Sequence, residues 1–276
     1  MLAALIIVFR EVFEAGLIIG IVLAVTRSVA GRNRWIGGGV LAGVLAACVV
    51  AIFAGAISHL FAGMGQELFN AAILCLAVVM LTWHNVWMAR HGAELAGELR
   101  AAGQAVVEGK KSLLALAIVV GVAVLREGSE VVLFLYGVLA TEADTSLSVA
   151  FGGLLGLALG AAVCLLTYFG LLRIPARALF ATTTALIALL AAGMAAQAAA
   201  FLERANWLTA LDNVMWDSSW LLSDSSFVGR ALHTLVGYTD QPTAMQLIVY
   251  LAILLITFGL MRLVGSPART AQPARF

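Results

Sequence analysis

Charge is scarce in this sequence: only 11% of its 276 residues are Asp, Glu, Lys or Arg, against 63% hydrophobic residues. Soluble domains carry about a quarter charged residues, so an ordinary water-facing surface is excluded. Cysteine is rare as well. Cys48, Cys75 and Cys164 fall in apolar runs without the spacing of thiolate ligands, and read as small packing residues. Glu-x-x-His is missing, because Ala56, Leu81, Met88 and Arg230 stand three places before the four histidines. There is no His-Glu-x-x-His, Gly-x-Ser-x-Gly or nucleotide loop either. These absences argue against a membrane di-iron oxidase, a zinc protease or another enzyme. The net charge of +1 points to no partner, nucleic acid included. A basic n-region is lacking before the first apolar run, which is therefore expected to stay in place as a helix.

What the chain has instead is length of apolar run. About 20 mainly apolar residues cross a bilayer as a helix, and seven stretches qualify, near 2–26, 36–61, 68–89, 113–139, 150–172, 178–201 and 245–264. The expected fold is an all-α polytopic bundle forming a single permease-like domain over 1–276. Basic residues orient it. Arg27, Arg32, Arg34, Arg90, Arg100, Lys110, Lys111, Arg173, Arg177, Arg262, Arg269 and Arg275 all fall on one side. The opposite loops hold Arg204 and Arg230 beside Glu67, Glu142, Asp144, Glu203, Asp212, Asp217, Asp224 and Asp240. An external N-terminus and a cytoplasmic C-terminus follow. The external segment 203–244 carries Trp207, Trp216 and Trp220 and is expected to fold back in part onto the bundle. Segment 90–112 is polar and helix-compatible, with Glu94, Glu98 and Arg100 on a solvated face.

Two charged motifs interrupt the apolar spans. Val8-Phe-Arg-Glu-Val-Phe-Glu14 and Val124-Leu-Arg-Glu-Gly-Ser-Glu130 share Arg-Glu-x-x-Glu at an offset of 116. Weaker echoes accompany them: Gly38-Gly-Val-Leu41 with Gly152-Gly-Leu-Leu155, and Leu68-Phe69 with Leu179-Phe180. The chain thus reads as repeat A (1–89), repeat B (113–202), the external segment and a seventh helix (245–264). Spans one and four run in opposite directions, so the repeats are inverted, an organisation that suits alternating access.

Arg10 lies about 12 Å along its helix, near mid-bilayer. Each charge at that depth costs about 2.5–3.5 kcal/mol. Positions i, i+3 and i+4 share a helix face, so Glu11, Glu14 and Arg10 can converge, as can Glu127, Glu130 and Arg126. Four carboxylates against two guanidiniums leave a charge of −2. An oxygen-only ligand set of that charge suits a hard cation. Salt bridges that merely pin a scaffold, or a proton relay, are the rival readings of the same residues. Glu67, His84, Asp217 and Asp224 are further candidates for an ion pathway, and no prosthetic group is expected.

These features resemble the oxidase-dependent iron permease family over nearly the whole chain. The resemblance rests on Arg10–Glu14 and Arg126–Glu130, with Glu67-Leu-Phe69, Leu81-Thr-Trp83, Trp87-Met88, Glu203, Trp207, Asp217 and Gly237-Tyr238 in support. It implies a bacterial inner-membrane protein for high-affinity iron uptake, with the paired Glu residues binding iron. It also implies external ferroxidase or peroxidase-like partners, and it admits a homo-oligomer. Val12 stands where the family commonly has Gly, and Asn70 where many members carry Glu. Some relatives are associated with lead, which keeps another metal open as cargo.

Overall fold

A computed structural model describes residues 1–60, 66–140, 146–170, 176–224 and 226–265. Among them the chain is helical, with no strand beyond an isolated bridge between Val214 and Thr243. The helices are α1 Leu2–Val25, α2 Arg32–Leu60, α3 Gln66–Val107, α4 Leu113–Ala140, α5 Ser146–Tyr168, α6 Ala176–Arg204, α7 Phe227–Val236 and α8 Ala244–Gly265. Of these, α2, α3, α5, α6 and α8 are long and apolar enough to cross a membrane. Helices α1 and α4 have the length, at 24 and 28 residues, but each carries the three charges of one motif. The protein is a polytopic helical membrane protein.

Helix α3 extends well past its expected span. It continues unbroken for 42 residues, about 63 Å at 1.5 Å per residue, where the hydrocarbon core needs about 30 Å. Ala, Glu and Leu dominate residues 93–102, and such good helix formers do not stop a helix. The stop comes at Gly109, whose φ of +72° is left-handed. Along the extension Leu99 and Val106 join a core with Val22, Leu116 and Val120, while Glu94, Glu98 and Arg100 face outward.

Small residues set how closely the helices approach. A methyl group added at Gly43 of α2 would sit 2.6 Å from the Gly121 carbonyl of α4, and Gly39 abuts Ala117 in the same way. On the other side, a methyl at Gly156 of α5 would sit 2.5 Å from the Leu5 carbonyl of α1, and Gly152 abuts Met1. The next turn repeats the pattern, with Ala47 against Gly128 and Gly160 against Val12. Ala117, Gly121 and Gly128 stand 116 places after Met1, Leu5 and Val12. Gly152, Gly156 and Gly160 stand 113 places after Gly39, Gly43 and Ala47. The sequence alignment paired Gly38 with Gly152, one residue off. Gly38 faces open space, and only the residue turned toward the partner helix has to be small.

Segment 203–244 does fold back onto the bundle. Helix α7 packs on α6 and touches α1. Ser226 caps it by accepting the Gly229 N–H at 2.9 Å, and Gly237 closes it with φ +71° against Gly193 of α6. Glu203, at the end of α6, accepts hydrogen bonds from Thr243 (2.8 Å) and Gln246 (3.2 Å), tying α6 to the start of α8. Trp207, Trp216 and Trp220 are exposed. Glu142, Asp144, Arg173, Arg269 and Arg275 lie outside the described residues, as do the side chains of His59, Arg90, Arg177, Leu179, Phe180 and Arg230.

Candidate cation site

Helices α1 and α4 pack together at the level of their motifs, with α3 alongside both. On α1 the Arg10 Nε lies 2.9 Å from a Glu14 oxygen one turn on, and Nη1 donates to Glu11 at 3.4 Å. On α4 the Arg126 Nε donates to Glu130 at 3.1 Å and lies 3.9 Å from Glu127. All six expected charged residues therefore meet in one place. The two halves differ in exposure: the Arg10 side chain is 1% accessible and that of Arg126 36%. Arg126 stacks over Trp87 of α3, 4.2 Å from the ring centre. The spacing of His84 and Trp87, three apart on one helix face, is the sequence signal for that contact.

His84 joins the cluster from α3. Its Nε2 lies 3.4 Å from Glu14, and its Nδ1 contacts Glu130. The ring, 3% exposed, bridges the corresponding acids of the two motifs. Next to it Asn85 is fully buried, and neither polar atom of its side chain has a hydrogen-bond partner among the described residues. The same holds for one carboxylate oxygen each of Glu11 and Glu127. Buried carboxylate oxygens without donors are costly, and a cation, or a proton shared between the facing Glu11 and Glu127, would satisfy them. Two ligand sets have donor atoms within 4.8 Å of one another: Glu11, Glu14 and His84, and Glu11, Glu127 and Glu130. Glu11 belongs to both.

Three cavities border the cluster. One of about 460 Å³ between α3 and α4 is lined by Trp83, His84, Trp87, Arg126 and Glu130. A second of about 260 Å³ has Glu11 and Glu127 at its wall, with Val8, Val44, Val124 and Leu157 around them. The third, about 400 Å³, joins Arg126 and Glu127 to Glu98 and Ala102 on the extension of α3.

The remaining candidates lie elsewhere. Glu67 is exposed at the start of α3, 17 residues from His84, or about 26 Å along the helix. Asp217 is exposed and accepts hydrogen bonds from the Ser219 hydroxyl and amide and from Gln241, which hold its carboxyl below the usual range. Asp224 is partly buried. That burial holds its carboxyl above the usual range, and the neighbouring charge of Asp240 adds to the effect.

Charged side chains gathered inside a polytopic helical bundle suit a membrane transport protein. The chain matches the iron permease FTR1 family over residues 1–266, and it belongs to that family. It is 31% identical to the ferrous iron permease EfeU of Shigella sonnei over 275 residues, covering 97% of this chain and 99% of the relative. Identity to the protein of the same name from Escherichia coli O6:H1 is 32% over 276 residues, with the same coverage. For that of Yersinia pestis it is 29% over 259 residues, 92% of this chain and 91% of the relative. These relatives are named as permeases, which are transporters and not enzymes. No solved structure matches the chain.

Proposed function

We propose that this protein carries iron ions into the cytoplasm through the site formed by Arg10, Glu11 and Glu14 of α1 and Arg126, Glu127 and Glu130 of α4. The observation that carries this reading is the meeting of all four motif carboxylates around two arginines, with buried oxygens of Glu11 and Glu127 lacking donors. In this reading α1 and α4 span the membrane with the other five long helices, giving seven spans, an external N-terminus and a cytoplasmic C-terminus. Their charges are tolerable because each arginine sits within ion-pair distance of its own glutamates.

Helices α1–α3 and α4–α6 form an inverted repeat within a single domain, and α8 is the extra helix. The crosswise contacts of α2 with α4 and of α5 with α1, at constant offsets of 116 and 113, support that symmetry. Rocking of one repeat against the other would expose the acids to each side in turn. External ferroxidase or peroxidase-like proteins deliver the iron, and the bacterial inner membrane is the compartment this implies. The family and the names of the relatives favour iron over lead as cargo.

The test is uptake of radiolabelled Fe²⁺ and Fe³⁺, offered separately with competing metals, in cells and proteoliposomes. A variant with Glu11, Glu14, Glu127 and Glu130 all changed to Gln should lose uptake while still reaching the membrane. Normal uptake by it would overturn the proposal.

A further inference from the structure

We infer that His84 is a direct nitrogen ligand to the transported cation and the residue that sets its selectivity; this rests on the cation site proposed above. The two motifs supply only oxygen donors, a set that also suits Mg²⁺, Ca²⁺ and Mn²⁺. Imidazole shifts the preference toward iron and the later d-block ions. His84 comes from neither motif. It reaches the acids from α3, with one ring nitrogen at Glu14 and the other at Glu130. An ion held by Glu11 and Glu14 therefore meets the ring as its third donor.

The distances suit ligation. Ligands held at about 2.0–2.2 Å from one ion lie within about 4.4 Å of each other. Glu11, Glu14 and His84 already offer donor atoms within 4.8 Å, so small rotamer changes close the set. The cavity at Trp83 and Trp87 also reaches His84 and gives the ring room to turn.

The ring is also unmatched in the repeat. At the offset of 111 that relates Leu68-Phe69 to Leu179-Phe180, the position on α6 corresponding to His84 is the buried Ala195. One imidazole serves the corresponding acids of both repeats. The donors thus form two sets that share Glu11, and the one with Glu14 includes a nitrogen and is not oxygen alone.

The test uses full-length, tag-free protein in lipid nanodiscs, loaded anaerobically with one equivalent of Fe²⁺. Iron K-edge absorption fine structure should show the outer-shell scattering of a coordinated imidazole ring. His84→Gln, which keeps a hydrogen-bonding side chain, should lose that scattering. It should also bind Fe²⁺ about tenfold or more weakly, with less change for Mn²⁺. Bound iron with an oxygen-only shell in the wild type overturns the inference, as does imidazole scattering that persists in His84→Gln. Binding of neither Fe²⁺ nor Fe³⁺ to the wild type overturns instead the site on which the inference rests; where only Fe³⁺ binds, the same scattering is read on Fe³⁺. If His84→Gln does not fold, 15N-histidine labelling of the wild type decides. A nuclear coupling from a directly bound nitrogen should then appear with Fe²⁺ nitrosyl as the paramagnetic probe, and its absence overturns the inference.

Discussion

Arg10 and Glu14 close a 2.9 Å ion pair across one turn of α1, with side chains only 1% and 2% exposed. Glu11 shares the same guanidinium at 3.4 Å. Removing the arginine leaves two acids facing each other in an apolar interior, and breaking a buried pair from one side costs about 3–5 kcal/mol. Arg10→Met should lower the thermal midpoint of the purified protein sharply. Arg126→Met should lower it less, because Arg126 is 36% exposed and shares its contact with the Trp87 ring. Paired unfolding curves in one detergent check the ranking, and equal losses would contradict it.

Helix spacing makes a second prediction. A side chain at Gly156 runs into the Leu5 carbonyl and the Phe9 amide, both of them backbone atoms that cannot turn aside. Overpacking of this kind costs about 1–3 kcal/mol. Gly156→Leu and Gly43→Leu should each fall in that range, since they sit on corresponding seams. Gly38→Ala and Gly20→Ala meet nothing within 4 Å. Those two should be neutral, or stabilising by up to about 1 kcal/mol through helix propensity. Midpoints of the four variants in the same lipid mixture provide the check.

The contrast between Gly38 and Gly39 shows where sequence reading reached its limit. Span lengths, the two charged motifs and their offset are local patterns, and each reappears in the helices. Which glycine of the run 37–39 faces the neighbouring helix is a matter of rotation about the axis, and adjacent identical residues carry no signal for it. His84 is similar. Its spacing placed it on a helix, but its two carboxylate partners come from α1 and α4, 70 and 46 positions away in the chain. The continuation of α3 to Val107 is legible only as compatibility, because its buried stripe is no more than Leu99, Gly103 and Val106. Glu67 and Asp217 read as pathway candidates by charge alone, and the fold leaves both exposed.

Asp224 gives a pH prediction outside the membrane. Burial holds its carboxyl above the usual aspartate range, with Asp240 beside it. The folded state therefore binds this proton more tightly than the unfolded state, whose aspartate titrates near about 3.9. The contribution to stability is complete below that value and is lost as pH rises through the folded pKa. Asp224→Asn should thus raise the thermal midpoint at pH 7 relative to the wild type, and the difference should shrink toward pH 4. Asp217→Asn should do the opposite at pH 7, since hydrogen bonds from Ser219 and Gln241 favour its charged form.

The cavity joining Glu127 to Glu98 makes a prediction about water. Its walls include Ala102 on the extension of α3 and Ala123 on α4, one turn before Glu127. Glu98 at its far end is exposed, so the cavity leads from the buried acids toward the outward face of the α3 extension. In a background with Cys48, Cys75 and Cys164 replaced, Ala102→Cys and Ala123→Cys should react with a charged, membrane-impermeant thiol reagent. Ala77→Cys and Ala188→Cys, both in packed parts of the bundle, should not. The side of entry follows from the proposed orientation: reaction should be fast in inside-out vesicles and slow in intact cells. Gly109→Cys, on the turn between α3 and α4, reports that orientation independently. If Gly109→Cys reacts from the cytoplasmic side while Ala123→Cys does not, the cavity is closed to water and the acids must be reached by another route.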